Sequence, residues 1–127
     1  MNSKVLIIDD EILVNKFLET RLTNEGIEVA CANDGQDALR KAEFNKYDLI
    51  ITDLMLPNIG GQELIMRIQQ SKLNAPTPII VLSSLSSDGL IVDVLASGVK
   101  DYIVKPFSIN VLIAKVKQHL EENQSAA

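Results

Sequence analysis

The chain has 127 residues, 46% of them hydrophobic and 23% charged, with a net charge of −5 and one cysteine. That length fits a single domain with a sizeable core. The acidic balance argues against direct nucleic-acid binding by this chain alone, and a lone Cys31 excludes an internal disulfide scaffold.

No apolar segment approaches the ~20 residues that cross a bilayer. Met1 to Lys4 leads into an apolar run that is too short, and too acidic on its flank, for a signal peptide. A cytoplasmic protein without a membrane anchor is the expectation.

Val5 to Ile8 is a continuous apolar run, the pattern of a strand covered on both faces, and it stops at Asp9-Asp10-Glu11. Val14, Phe17, Leu18 and Leu22 then recur at helical spacing, with Gly26 as a stop. Glu28 to Ala32 is a weaker strand suited to a sheet edge, with Cys31 expected as a small core residue. Ala38, Leu39 and Ala42 mark a short helix entered through Asn33-Asp34-Gly35. Leu49 to Asp53 is the third strand, and Pro57 hinders its continuation. After the loop Asn58 to Gly61, Leu64, Ile65 and Ile68 form one helical face.

Asn74-Ala75-Pro76-Thr77-Pro78 breaks the chain before strand four, Ile79 to Leu82, which ends in Ser83-Ser84. A helix from about Leu90 to Ser97 is stopped by Gly98. Its Leu90, Ile91, Val92, Val94 and Leu95 surround a single Asp93, more apolar than one buried face requires. Strand five, Asp101 to Val104, ends in Lys105-Pro106-Phe107. Ile109, Leu112, Ile113, Val116 and Leu120 stripe a last helix capped by Ser108. The expectation is one domain over residues 1–127 with a core over about 4–120, leaving 121–127 as a frayed tail or the start of a linker. His119, the only histidine, has no metal-ligand partner and reads as an exposed cation or a spectator near a helix end.

Five strands alternating with five helices predict an α/β fold, a parallel sheet with helices on both faces. Periodicity does not give the strand order. In such a sheet Asp9, Asp10, Asp53, Ser83 and Lys105 all stand at strand carboxyl ends, along one edge, where α/β sheets bind ligands. Singly, each has a simpler reading: a helix cap, a turn, a solvated lysine. Together they form a site. Clustered carboxylates repel, by about 1 kcal/mol per pair in water and about 4 at a protein surface. A hard cation such as Mg²⁺ removes that cost. Asp53 would then be a carboxylate nucleophile for phosphoryl transfer, with Lys105 supplying charge and Ser83 a hydroxyl.

These segments resemble the receiver domains of two-component response regulators. The matching stretches are Val5 to Glu11, Leu49 to Pro57 with Gly61, Val81 to Ser84, and Gly98 to Phe107. The resemblance implies a flavodoxin-like, doubly wound sheet in the order 2-1-3-4-5. It implies phosphoryl transfer to Asp53 from a histidine kinase or phosphotransfer protein, and Mg²⁺ bound by Asp9, Asp10, Asp53 and the Met55 carbonyl. Ser83 and Lys105 would bind the phosphoryl group, Ser83 and Tyr102 would form the switch, and Lys105-Pro106 would be a cis peptide. The output would be a partner protein or an effector domain outside this chain.

Leu90, Val92, Tyr102 and Val111 are expected on a partner or dimer surface built from the fourth helix, fifth strand and fifth helix. Val111 stands where many DNA-binding relatives carry an acid, which argues against a salt-bridged dimer. Met55 and Leu85 should flank the phosphoryl group, hinder water and prolong the phosphorylated state. Two other readings are a Mg²⁺-dependent phosphohydrolase with an Asp nucleophile and a non-phosphorylated interaction domain. The first commonly needs a second acid where Met55 stands, and the second has no use for the intact cluster. A flavin carrier fits poorly, because the acidic edge would repel a phosphate.

Overall fold

The apolar, β-branched runs pair side by side as a parallel sheet, and the amphipathic stretches between them return across its two faces. The computed structural model describes residues 2–125. In chain order the elements are β1 (Lys4–Ile8), α1 (Ile12–Thr23), β2 (Glu28–Ala32), α2 (Gly35–Phe44), β3 (Leu49–Thr52), α3 (Gly61–Gln69), β4 (Ile79–Ser83), α4 (Asp88–Ala96), β5 (Asp101–Val104) and α5 (Ile109–Ser125). The strand order is β2-β1-β3-β4-β5, all parallel, which is the flavodoxin-like order.

Alternation along each strand splits the core in two. Leu6, Ile8, Ile50 and Val81 point to one face, packed by Ala38, Leu64, Ile68 and Val94 of α2, α3 and α4. Val5, Ile7, Ile51 and Leu82 point to the other, packed by Leu18, Leu22, Leu112 and Val116 of α1 and α5. The central strands β1, β3 and β4 are therefore buried along almost their whole length, while the edge strands β2 and β5 are only partly covered.

Four expectations are corrected. Phe17 is not on the inner face of α1: it is 47% exposed, and the buried positions are Asn15, Leu18 and Leu22. At about 100° per residue, residue 17 lies almost opposite that stripe. Cys31 is only half-buried on the edge strand. The tail expected to fray from residue 121 remains helical to Ser125, because Glu121 to Gln124 contain no glycine or proline and favour helix; residues 126–127 lie outside the described residues.

His119 is the fourth. It is buried, not exposed, and its Nε2 lies 3.2 Å from Asp101 Oδ2, which also accepts a hydrogen bond from Lys115. The longer helix explains this, since His119 sits well inside α5 and faces the start of β5.

Candidate functional site

The site forms where the connections out of the sheet diverge. From β1 the chain passes to β2 on one side, and from β3 to β4 on the other. The carboxyl ends of β1 and β3 therefore border the crevice where doubly wound sheets hold ligands. Asp9 and Asp10 follow β1 and Asp53 follows β3. Register places Ile8 opposite Thr52, and the Asp53 amide donates to the Ile8 carbonyl at 2.9 Å, so the two acidic turns lie side by side.

Both inner carboxylates are buried and held by backbone. Asp53 is 6% exposed; its Oδ1 accepts from the amides of Leu54 at 2.6 Å and Met55 at 3.1 Å. Asp9 is 2% exposed, and its Oδ1 accepts from the Glu11 amide at 2.9 Å. Asp10 is exposed. Oxygens of Asp9, Asp10 and Asp53 lie within 4.8 Å of one another. An all-oxygen donor set with one solvent-facing member fits a hard divalent cation that keeps some of its water.

Lys105 closes the group from β5. Its Nζ lies 2.7 Å from Asp9 Oδ2 and 3.0 Å from Asp53 Oδ2, bridging the two buried carboxylates. Burial alone pulls the Lys105 pKa down, but the hydrogen bonds to Asp9 and then Asp53 outweigh it and leave the ammonium above its ordinary value. Its amide donates to the Ser83 carbonyl at 2.9 Å, and the Lys105-Pro106 peptide is cis.

Ser83, fully buried at the end of β4, accepts at Oγ from the Leu85 amide at 3.3 Å. Tyr102 sits on β5 opposite Val81, and its hydroxyl donates to the Leu85 carbonyl at 2.5 Å. The strand-four loop is thus tied to both Ser83 and Tyr102. Burial pushes the Tyr102 phenol pKa up.

The turn after Asp53 needs a glycine partner. A Cβ on Gly61 would stand 2.3 Å from Leu54 Cα and 2.9 Å from the Asp53 carbonyl oxygen, and the Gly61 amide donates to the Leu54 carbonyl at 3.0 Å. The start of α3 is thereby pressed against the residues that orient the Asp53 carboxylate. Met55, 54% exposed, and Leu85, 36% exposed, stand on the neighbouring loops.

The structure therefore gathers Asp9, Asp10, Asp53 and Lys105, and it links Ser83 and Tyr102 through the Leu85 loop. Leu90, Val92 and Val111 are not part of the acid cluster and stand on α4 and α5; Val92 and Val111 are 63% and 52% exposed and Leu90 is half-buried. Asn15 was not foreseen. It is buried beneath the Asp9 turn, and its Nδ2 donates to the Asp9 carbonyl at 2.8 Å. The available signal was its place on the Leu18–Leu22 stripe at spacings of three and seven residues.

Residues 5–117 match the response regulator receiver domain family. Response regulator ArlR of Staphylococcus saprophyticus is 43% identical over 118 residues, covering 93% of this chain and 52% of that protein. ArlR of Staphylococcus aureus is 44% identical over 115 residues, covering 91% of this chain and 51% of that protein. This chain thus spans about half the length of the curated relatives it matches. Among solved structures, the Francisella response regulator 1452 receiver domain superposes with a TM-score of 0.88 at 37% identity, covering 95% of this chain and 98% of that one. A CheY-like receiver domain protein from Methanospirillum hungatei gives a TM-score of 0.93 at 28% identity, with complete coverage of both chains.

Proposed function

The chain belongs to the response regulator receiver domain family of two-component signalling, and on that footing we propose that Asp53 is its phosphoacceptor. The observation that carries this assignment is the meeting of the Asp9, Asp10 and Asp53 carboxylates within 4.8 Å, with the Lys105 ammonium bonded to two of them. Asp9, Asp10, Asp53 and the Met55 carbonyl would hold Mg²⁺. When bound, the cation supplies charge neutralisation for a transferring phosphoryl group.

The chain's own residues do the rest. The amides of Leu54 and Met55 fix the orientation of the Asp53 carboxylate. An Asp53 oxygen bonds to phosphorus as the bond from phosphorus to the donor's imidazole nitrogen breaks, and that nitrogen leaves with the bonding pair. Lys105 then shifts its charge toward the new phosphoryl oxygens, and the Ser83 hydroxyl donates to one of them. That movement would draw on the Leu85 loop, to which the Tyr102 hydroxyl is bonded, and bias an existing two-state equilibrium.

The proposed donor is a sensor histidine kinase or phosphotransfer protein, and the proposed receiver of the signal a partner protein or an effector domain beyond this chain. We assign the chain to the cytoplasm, promoting only its own phosphorylation and dephosphorylation; no helix among the described residues is long and apolar enough to cross a membrane. The apolar outer side of α4 with β5 and α5, including Leu90, Val92, Tyr102 and Val111, is the proposed partner or dimer surface. The decisive experiment is incubation with acetyl phosphate and Mg²⁺ followed by intact-mass measurement. One added phosphoryl group, absent in Asp53→Asn and absent in EDTA, is expected. Donor hydrolysis without a retained phosphoryl group would overturn the assignment in favour of a phosphohydrolase.

A further inference from the structure

Asn15 stands out because nothing about packing calls for it. The other inward residues of α1 are Leu18 and Leu22, yet Asn15 is 3% exposed and its Oδ1 is buried without a hydrogen-bond partner among the described residues. A buried unpaired acceptor is costly, so the amide must be retained for its donors. Nδ2 lies 2.8 Å from the Asp9 carbonyl, 2.8 Å from Asn33 Oδ1 and 3.3 Å from the Ala32 carbonyl. Two of these acceptors are backbone carbonyls, so nitrogen and not oxygen must face them.

The carbonyl that Asn15 grips belongs to the peptide joining Asp9 to Asp10. The Asp9 amide is tied to the Ala32 carbonyl at 3.2 Å, and its carboxylate to the Glu11 amide at 2.9 Å. Among the described residues, Asn15 therefore supplies the one side-chain hydrogen bond to the peptide that links the two acids. If that peptide plane turned, Asp10 would swing relative to Asp9. The far end of the brace is also anchored, because Asn33 adjoins Asp34, whose side chain caps α2 by accepting from the Asp37 amide at 2.8 Å.

We propose that Asn15 is a positioning residue for the divalent cation: it fixes the Asp9–Asp10 peptide so that both carboxylates face Asp53, and so sets the affinity for Mg²⁺. This rests on the metal-assisted phosphoacceptor reading above. It acts through the acids, not on the phosphoryl group, and that difference can be measured.

The test is calorimetric titration of Mg²⁺ alone into the full chain, with no phosphodonor present, for wild type, Asn15→Leu, Asn33→Ala and Leu22→Ala. Asn15→Leu is expected to bind Mg²⁺ roughly tenfold more weakly, the low end of what partners of metal ligands contribute. Its phosphorylation by acetyl phosphate should return to the wild-type rate at saturating Mg²⁺. Leu22→Ala, on the same helix face but away from the acids, should melt earlier with unchanged Mg²⁺ affinity. Asn33→Ala should show a smaller weakening, with no further loss when combined with Asn15→Leu. Unchanged affinity in Asn15→Leu, or a rate that high Mg²⁺ does not restore, would overturn the inference. Should Asn15→Leu not fold, unchanged affinity in Asn33→Ala overturns it. If wild type itself binds no Mg²⁺, the metal reading fails instead.

Discussion

Asp10→Asn should make the metal-free protein more stable. Among the described residues the Asp10 carboxylate has no hydrogen-bond or ion-pair partner, yet it shares a 4.8 Å cluster with Asp9 and Asp53. Lys105 offsets one of those two charges, so Asp10 faces a net charge near −1. At 4.8 Å one like-charge pair costs about 0.9 kcal/mol in water and about 3.5 at a surface dielectric of about 20. For an exposed, salt-screened side chain the lower figure applies, about 1 kcal/mol. With an unfolding entropy of about 2.1 cal/mol/K per residue over 127 residues, that raises the melting midpoint by about 4 °C in EDTA.

Magnesium should bring the two midpoints to within about 1 °C of each other. At ten times its dissociation constant, Mg²⁺ stabilises wild type by about 1.4 kcal/mol, or about 5 °C. Asp10→Asn, lacking one ligand, should gain less than about 2 °C at the same concentration. Differential scanning calorimetry of both proteins in EDTA and in Mg²⁺ gives all four midpoints. An Asp10→Asn midpoint in EDTA at or below wild type would refute the repulsion. An undiminished Mg²⁺ shift would refute Asp10 as a ligand.

Three further outcomes are expected. Burial raises the Asp101 pKa, but the bonds from His119 and Lys115 outweigh it and hold it below the ordinary carboxylate value. Its folded pKa is thus depressed, so its stabilisation is present above about pH 4 and is lost as pH falls through the folded value; melts of wild type and Asp101→Asn should converge in acid, and a gap that widens as the pH is lowered would contradict this. Leu85→Asn should shorten the lifetime of the phosphorylated state by admitting water, measured as loss of labelled phosphate; equal decay would remove Leu85 as a shield. Val92→Lys, on the exposed side of α4, should weaken phosphorylation-dependent self-association in sedimentation, and identical profiles for both phospho-forms would argue against that surface.

The strands are legible because short apolar runs set between polar or turn-forming residues leave a plain signature. Asp101–Val104 and Glu28–Ala32 were read to the residue, and β3 differs only in ending before Asp53. Helix starts were less visible: α4 begins at Asp88 because the Ser87 side chain caps it by accepting from the Leu90 amide at 3.4 Å, a local polar contact that apolar spacing does not register. The acidic edge was legible as a set of strand ends. The positions of Asn15 and His119 were not, for a shared reason. Each is a polar residue on an inward helix face whose partner, Asp9 after β1 or Asp101 on β5, belongs to a different segment of the fold. Only the folded sheet reveals that those inward positions meet acceptors and not a purely apolar core.

Charge at the site also dictates an order of events on the phosphoacceptor reading. Three carboxylates against one ammonium leave a net charge near −2 at the edge where a phosphoryl group must arrive. A phosphoryl group brings roughly −1.5 to −2 more. Lys105 cannot admit it alone, because its ammonium is already engaged by Asp9 and Asp53. A divalent cation held by the three acids would supply the missing charge, and Lys105 could then turn toward the incoming oxygens; on this reading the cation binds before the donor. The initial phosphorylation rate should then follow Mg²⁺ occupancy, and raising the acetyl phosphate concentration should not rescue it in EDTA. A rate in EDTA that climbs with donor to the Mg²⁺-saturated value would mean that Lys105 suffices, and that the acid cluster serves some purpose other than holding a cation.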